Sequence, residues 1–217
     1  MTSTGRSNFN PIAAQQYLAK AFAFFNAELF DGKLNGGVVL TLQRKRGALG
    51  HWRPQAFRQR GDNDAENNAA MFNEIAMGPD HFLGRDVIDI LSTLVHEMCH
   101  EFQGRFGKPS TGNYHNRQFS KIMAECGLIT SNTGKPGGKK TGRRISHYIE
   151  DGGAFDIAVK KFIAANPDAI NWGAMTRIAR PRRRRQRRKY TCPQCGLNAW
   201  AKPDVILLCG ECGKELE

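Results

Sequence analysis

The sequence predicts an α+β domain over residues 12–165, preceded by a flexible N-terminus over 1–11 and followed by a basic linker over 166–189 and a small four-cysteine module over 190–217. Three observations carry that reading. Apolar residues recur at helical spacing in four segments, and the stretches between them have the compact, β-branched texture of strands. Cationic charge is concentrated late in the chain: residues 139–189 hold fifteen Lys and Arg against four Asp and Glu, whereas residues 1–138 come to +3 and residues 190–217 to −2. Four of the six cysteines fall in two Cys-x-x-Cys pairs near the C-terminus.

The 217 residues, 40% of them hydrophobic, suffice for one ordinary core with a small appendage and argue against a disordered chain. No apolar run approaches the roughly 18 residues that a membrane span needs, and the start MTSTGRSNFNPIAAQQ lacks the charged-then-apolar layout of a secretory signal. The expectation is a cytoplasmic or nucleoid-associated protein that is not secreted and has no membrane partner.

Taken in order, Ile12, Tyr17, Leu18, Ala21, Phe22, Phe25, Leu29 and Phe30 recur as one face of a helix that stops near Asp31-Gly32. Gly37–Gln43 reads as a strand. Gly50-His-Trp-Arg-Pro54 reads as a turn leading into a second strand or a loop, and residues 58–68 as an exposed loop. Ala70–Met77 alternates well enough to be a strand, ending at Gly78-Pro79. From Asp86 to about Phe102 the apolar residues leave little room for a polar face, so this helix should be buried, with Gly104 and Gly107-Lys-Pro109 ending it. A short helix follows from His115 through Phe119, Ile122, Met123 and Cys126, closed by Gly127. Residues 130–144 read as a mobile loop, Ile145–Ile149 as a strand and Phe155–Ala165 as a final helix. Cys99 and Cys126 sit in apolar helical patterns and read as small core residues.

The buried helix contains His96-Glu97-Met98-Cys99-His100. Histidines four apart project from one helix face, which lets both imidazoles reach a single zinc ion, and Glu97 is then placed to take a proton from a water at that ion and hand it to a leaving amine. Two histidines and a glutamate inside an apolar helix are costly unless something satisfies them, and a metal does. A third ligand is required. A compact extension with glycine at 103 and histidine at 106 is excluded by Gln103 and Phe106; a glutamate about 20 residues beyond His100 is not offered, since position 120 is Ser120 and Glu125 comes late. His115 is the natural candidate, with His147 as the substitute. Met71–Met77 is a candidate edge strand for pairing with an extended substrate or an ordinary interior strand; His147 and Tyr148 are candidates for a donor near a developing oxyanion or a plain strand pair; and Trp52 and Phe57, beside Arg53 and Arg58, suit either base stacking or the core.

These residues resemble the SprT-like zinc metalloproteases, whose eukaryotic relatives include the Spartan protease that digests proteins crosslinked to DNA. The resemblance spans most of residues 12–160 and rests on Thr93-Leu-Val-His-Glu-Met-Cys-His100, His115-x-x-x-Phe119, Gly50-His-Trp-Arg-Pro54 and Asn73-Glu-Ile-Ala-Met77 before Gly78-Pro79. A C-terminal four-cysteine ribbon also recurs in that family. The resemblance implies a zincin-like domain with a buried active-site helix and a small sheet, zinc held by His96, His100 and His115, and Glu97 as general acid and base. The family often follows its third histidine with glycine; this chain has Asn116.

Cys192-Pro-Gln-Cys195-Gly and Cys209-Gly-Glu-Cys212-Gly have the spacing of two zinc knuckles, giving a closed structural site that folds a tail too short for its own core. The two zinc ions expected per chain are therefore one catalytic and one structural. Arg182, Arg183, Arg184, Arg185, Arg187, Arg188 and Lys189 are candidates for phosphate neutralisation, with Trp200 as a base-stacking candidate; such contacts carry no sequence specificity. The expected function is a zinc-dependent endopeptidase acting on DNA-associated proteins. The rival class is a nucleic-acid-binding or regulatory zinc protein with little peptidase activity, against which Glu97 argues.

Overall fold

In the first of two compact units the sequence's apolar helix becomes the central element against which everything else is laid. The computed structural model describes residues 11–45, 47–60, 70–112, 114–167, 173 and 187–217, and the units are Met1–Met175 and Thr176–Glu217. In chain order the elements are α1 (Pro11–Phe30), β1 (Val38–Leu42), β2 (Gly50–Arg58), β3 (Met71–Met77), α2 (Val87–Phe106), α3 (Arg117–Glu125), β4 (Leu128–Ser131), β5 (Ser146–Ile149), α4 (Ala154–Ala165), β6 (Arg188–Thr191) and β7 (Asn198–Ala201). This is a mixed α and β architecture with small sheets. No helix among the described residues is long and apolar enough to cross a membrane.

Helix α2 starts where the Asp86 carboxylate accepts from the Ile88 amide at 3.0 Å, satisfying one of the free N–H groups of its first turn. Its Ile90, Leu91, Leu94, Val95 and Met98 are fully buried. Aromatic residues of α1 reach α4: Tyr17 meets Phe162 edge-on at 5.3 Å between ring centroids, and Phe25 packs on both Phe155 and Phe162. The helical spacing of Tyr17, Leu18, Ala21 and Phe25 is the cause, since it gathers them on one face. At the other end Phe30 packs on Phe102 of α2.

One sheet has the order β1-β3-β2, with β1 parallel and β2 antiparallel to β3. Met71–Met77 is thus the middle strand, hydrogen-bonded on both sides, and the candidate edge strand of the sequence reading is an interior one; the edge next to it is β2. Strand β2 is longer than the sequence implied and runs to Arg58. Its register shifts between Arg53 and Phe57, where Pro54 has no N–H to donate and Gln55 takes φ +49°, its amide turning to Asn73 Oδ1 at 2.9 Å. A second sheet pairs β4 with β5, so the loop between them is closed at its base by a strand, Leu128–Ser131, that the sequence reading missed.

Two helix ends differ from expectation for stated reasons. Helix α2 ends at Gly107, one of the two expected glycines, but runs through Gly104, whose missing Cβ makes room for the Trp52 ring: a Cβ there would lie 2.7 Å from the indole. Helix α3 begins after His115, not at it. Asn116 is its N-cap, with Oδ1 accepting from the Phe119 amide at 2.9 Å. Gly127 does end this helix, at φ +77°.

The second unit pairs β6 with β7 and buries Tyr190, Cys192, Cys209 and Leu216 together. Because β6 opens at Arg188, Arg188 and Lys189 lie in a strand and not in a linker.

Gly127 gives a direct test of the packing around α3. A Cβ on it would meet the amides of Ala154 and Phe155 at 2.8 and 2.9 Å in a backbone conformation that L residues resist. Replacing it with alanine should lower stability by more than about 1 kcal/mol, read as a fall in melting temperature.

Candidate active site

The geometry of the site follows from how three stretches of chain meet. Successive turns of α2 present His96 and His100 on one face. His115 is brought to them by an antiparallel bridge to Gly142, in which the His115 amide donates to the Gly142 carbonyl at 2.8 Å and the Gly142 amide returns a bond of 3.1 Å. The Nε2 atoms of His100 and His115 lie 3.2 Å apart, and those of His115 and His96 lie 3.3 Å apart. Tetrahedral zinc with its usual Zn–N bonds places ligand nitrogens about 3.3 Å from one another, so the three imidazoles fit that ion. His115 Nδ1 faces the Gly142 carbonyl at 3.2 Å; donation there leaves Nε2 with a free lone pair.

The electrostatics agree with the geometry. Burial, followed by the neighbouring histidines, holds His96 well below the usual imidazole range; burial pushes His100 down to about 3; and burial also lowers His115, opposed by its contact with Gly142. All three are therefore neutral and ligand-competent at neutral pH. Glu97, 6% exposed, lines the same cavity as the three histidines and lies against Gly50 of β2. Burial pushes its carboxyl up to about 8, against a hydrogen bond from the Trp52 backbone and the charge of Lys45. A dication beside it would draw that value down again. Gly50 makes the approach possible: a Cβ there would meet Glu97 Cγ and Oε1 and Thr93 Cγ2, each at 3.1 Å.

These groups line a cavity of about 1010 Å³ that also takes in Lys45, Tyr114 and Arg143. His147, the substitute ligand of the sequence reading, is not in the triad. Its Nε2 lies 3.0 Å from Ser92 Oγ, a hydroxyl that donates to the Asp89 carbonyl, so His147 donates to it. Its ring lies nearly parallel to that of His96 at 5.3 Å. Burial and Arg85 push it down to about 4. Tyr148 is in β5, paired with Ile129. Cys99 and Cys126 are buried core residues, their sulfurs 3.8 Å apart.

In the second unit Cys192, Cys195, Cys209 and Cys212 bring their sulfurs within 4.8 Å of one another, with Cys195 and Cys209 at 3.6 Å. Thiolates around tetrahedral zinc lie about 3.8 Å apart, so this set fits the ion too. The two pairs repeat one turn: Gly196 N donates to the Cys192 carbonyl at 2.9 Å and Gly213 N to the Cys209 carbonyl at 2.8 Å, both glycines at positive φ. Of the candidate phosphate-binding residues, Arg182, Arg183, Arg184 and Arg185 lie outside the described residues. Arg187, Arg188 and Lys189 are exposed, and Arg188 stacks over Tyr190 at 5.7 Å. Trp200, 61% exposed, sits directly across from Lys189.

The sequence reading missed Gly50, Gly142 and the role of Trp52. Gly50 and Trp52 were inside a motif already singled out; Gly142 carried no signal, because its part is played by its backbone.

The raised Glu97 carboxyl has a measurable consequence for chelator-treated protein. A folded-state value of about 8 above the usual 4.5 means that the neutral form stabilises the fold fully below about pH 4.5, and that this contribution is lost as pH rises through 8. Glu97→Gln should therefore melt several degrees above the wild type at pH 9 in the metal-free state, and the gap should narrow toward pH 5.

Comparison with known proteins returned no matching curated protein and no matching solved structure. The sequence model of the SprT-like family matches residues 18–136, a span that holds β1 to β3, the whole of α2 and α3, and the three histidines with Glu97. With more than half of the chain matched, and with the triad and its carboxylate inside that span, the protein belongs to the SprT-like family, which is associated with zinc metalloprotease activity.

Proposed function

We propose that the protein is a zinc-dependent endopeptidase with a zincin-like catalytic domain, acting on DNA-associated proteins and held near them by its basic segment and a C-terminal zinc ribbon. The observation that carries the hydrolytic part is the convergence of three Nε2 atoms in a cavity walled on one side by Glu97. His96, His100 and His115 would hold the catalytic ion and the four cysteines a structural one. Bound zinc supplies Lewis acidity, polarising the scissile carbonyl and making a water nucleophilic at neutral pH.

Glu97 takes the proton of the attacking water and returns it to the leaving amine nitrogen, a transfer for which the backbone of Trp52 orients it. The outer edge of β2, whose Gly50, His51, Trp52, Pro54 and Gln55 line the cavity, suits an extended substrate that pairs by backbone hydrogen bonds. Three things support the nucleic-acid part: the excess of eleven positive charges over residues 139–189, the exposed Arg187, Arg188 and Lys189, and the exposed Trp200 ring opposite Lys189. Phosphate neutralisation and stacking would hold DNA without reading its sequence.

Metal analysis should find two zinc ions per chain, one of them lost when His96 and His100 are both replaced by alanine. Glu97→Gln should keep both ions and slow cleavage by about 10²- to 10⁴-fold. Cleavage of a DNA-bound protein should rise when DNA is present and fall as salt is raised; cleavage indifferent to DNA would remove the recruitment claim.

A further inference from the structure

We infer that Trp52 is a positioning residue for the metal centre, fixing the orientation of His100 with its ring. The inference rests on the proposed metal site at the three histidines and assigns a role that the ligand set alone does not contain.

Trp52 is a half-buried residue of an edge strand, yet its indole is engaged on α2. Its indole lies nearly parallel to the His100 ring, 16° between planes and 6.3 Å between centroids. The His100 ring is also nearly parallel to Phe119, at 25° and 4.1 Å, so aromatic rings from β2 and α3 both bear on it. Among the described residues, the His100 side chain shows no hydrogen-bond partner except His115 Nε2. Metal-ligating histidines are ordinarily oriented by a polar partner on the second ring nitrogen. For His100, ring packing takes that part.

The indole is itself fixed. Its Nε1 donates to Glu101 Oε2 at 2.5 Å, and Glu101, one residue past His100, is fully buried. That carboxylate also accepts from Asn73 Nδ2 at 2.9 Å and from Arg105 Nε, and the Arg105 guanidinium reaches the carbonyls of Asn35 and Gly36. A buried carboxylate satisfied by three donors is rigid, and it cannot move without leaving donors or itself unpaired. Asn73 uses its remaining oxygen on the Gln55 amide at the β2 irregularity, which ties the strand on the far side of Trp52 to the same anchor. Gly104 completes the seat, since a Cβ there would lie 2.7 and 2.9 Å from two indole carbons. This gives the Gly50-His-Trp-Arg-Pro54 and Asn73-Glu-Ile motifs a shared purpose.

The test uses the full chain, with a cooperative thermal transition in the helical circular-dichroism signal to report that the first unit, which holds the helices, is folded. Trp52→Ala should weaken zinc binding at the histidines by about 10- to 100-fold in competition with a chelator, while the cysteine-bound zinc is retained. It should also shift the visible absorption bands of cobalt placed at the histidine site, which a merely structural loss elsewhere would leave in place. Trp52→Phe, which keeps a ring and loses the N–H, should fall between. Gly104→Ala raises helix propensity, so weaker metal binding in that variant must come from displacing the indole. In the Trp52→Ala background Gly104→Ala should have no further effect, because the added methyl then has room. If Trp52→Ala does not fold, Trp52→Phe and Gly104→Ala decide the matter. Variants that bind zinc as tightly as the wild type, with unchanged cobalt spectra, overturn the role of Trp52. A wild-type chain that takes no metal at the histidines overturns the metal reading on which it rests.

Discussion

Two imidazoles and a carboxyl group gathered within one turn of a largely buried helix are the constraint to which the first unit answers. Polar groups withdrawn from water cost free energy unless something pairs with them. His96 Nδ1 is buried without a partner among the described residues, and the Nε2 atoms turn toward a common point at contact distance instead of toward separate partners. Neutral imidazoles with converging lone pairs, beside a carboxyl whose proton is held by burial, make a site tuned for a cation and for moving a proton. The apolar surroundings that make the arrangement costly are also what set those ionisation states.

The scaffold delivers these groups mostly through backbone. His115 arrives by a two-bond bridge to Gly142, Glu97 is met by the main chain of β2 across Gly50, and α3 is started by the Asn116 cap immediately after the ligand. Asn116 stands where the family often has glycine, and it turns the chain out of the bridge and into the helix, leaving His115 free to face α2. In the second unit the same economy appears twice over, each cysteine pair folded around a glycine at positive φ.

What was legible in the sequence was whatever has a short period or a fixed spacing. The course of α2, the adjacency of His96 and His100, the α1 face that packs on α4 and the two cysteine knuckles all follow from local pattern. What was not legible depends on pairing between distant strands. Met71–Met77 has the alternation of either an edge or a central strand, and only the partners Val38–Leu42 and Gly50–Arg58 decide that it is central. Leu128–Ser131 is too short to declare itself without β5. His115 and His147 were both open as third ligand because chain distance says nothing about which of them the Gly142 bridge selects. Gly104 looked like a helix end and is instead a contact surface.

The central claim is that His96, His100 and His115 hold one zinc ion through Nε2. The most direct measurement is anomalous diffraction at the zinc edge from crystals of the full chain. A peak is expected about 2.0–2.1 Å from all three Nε2 atoms, apart from the peak among the four cysteines. Full occupancy at the cysteines with no peak at the histidines, or a peak there that His115 does not touch, would contradict it.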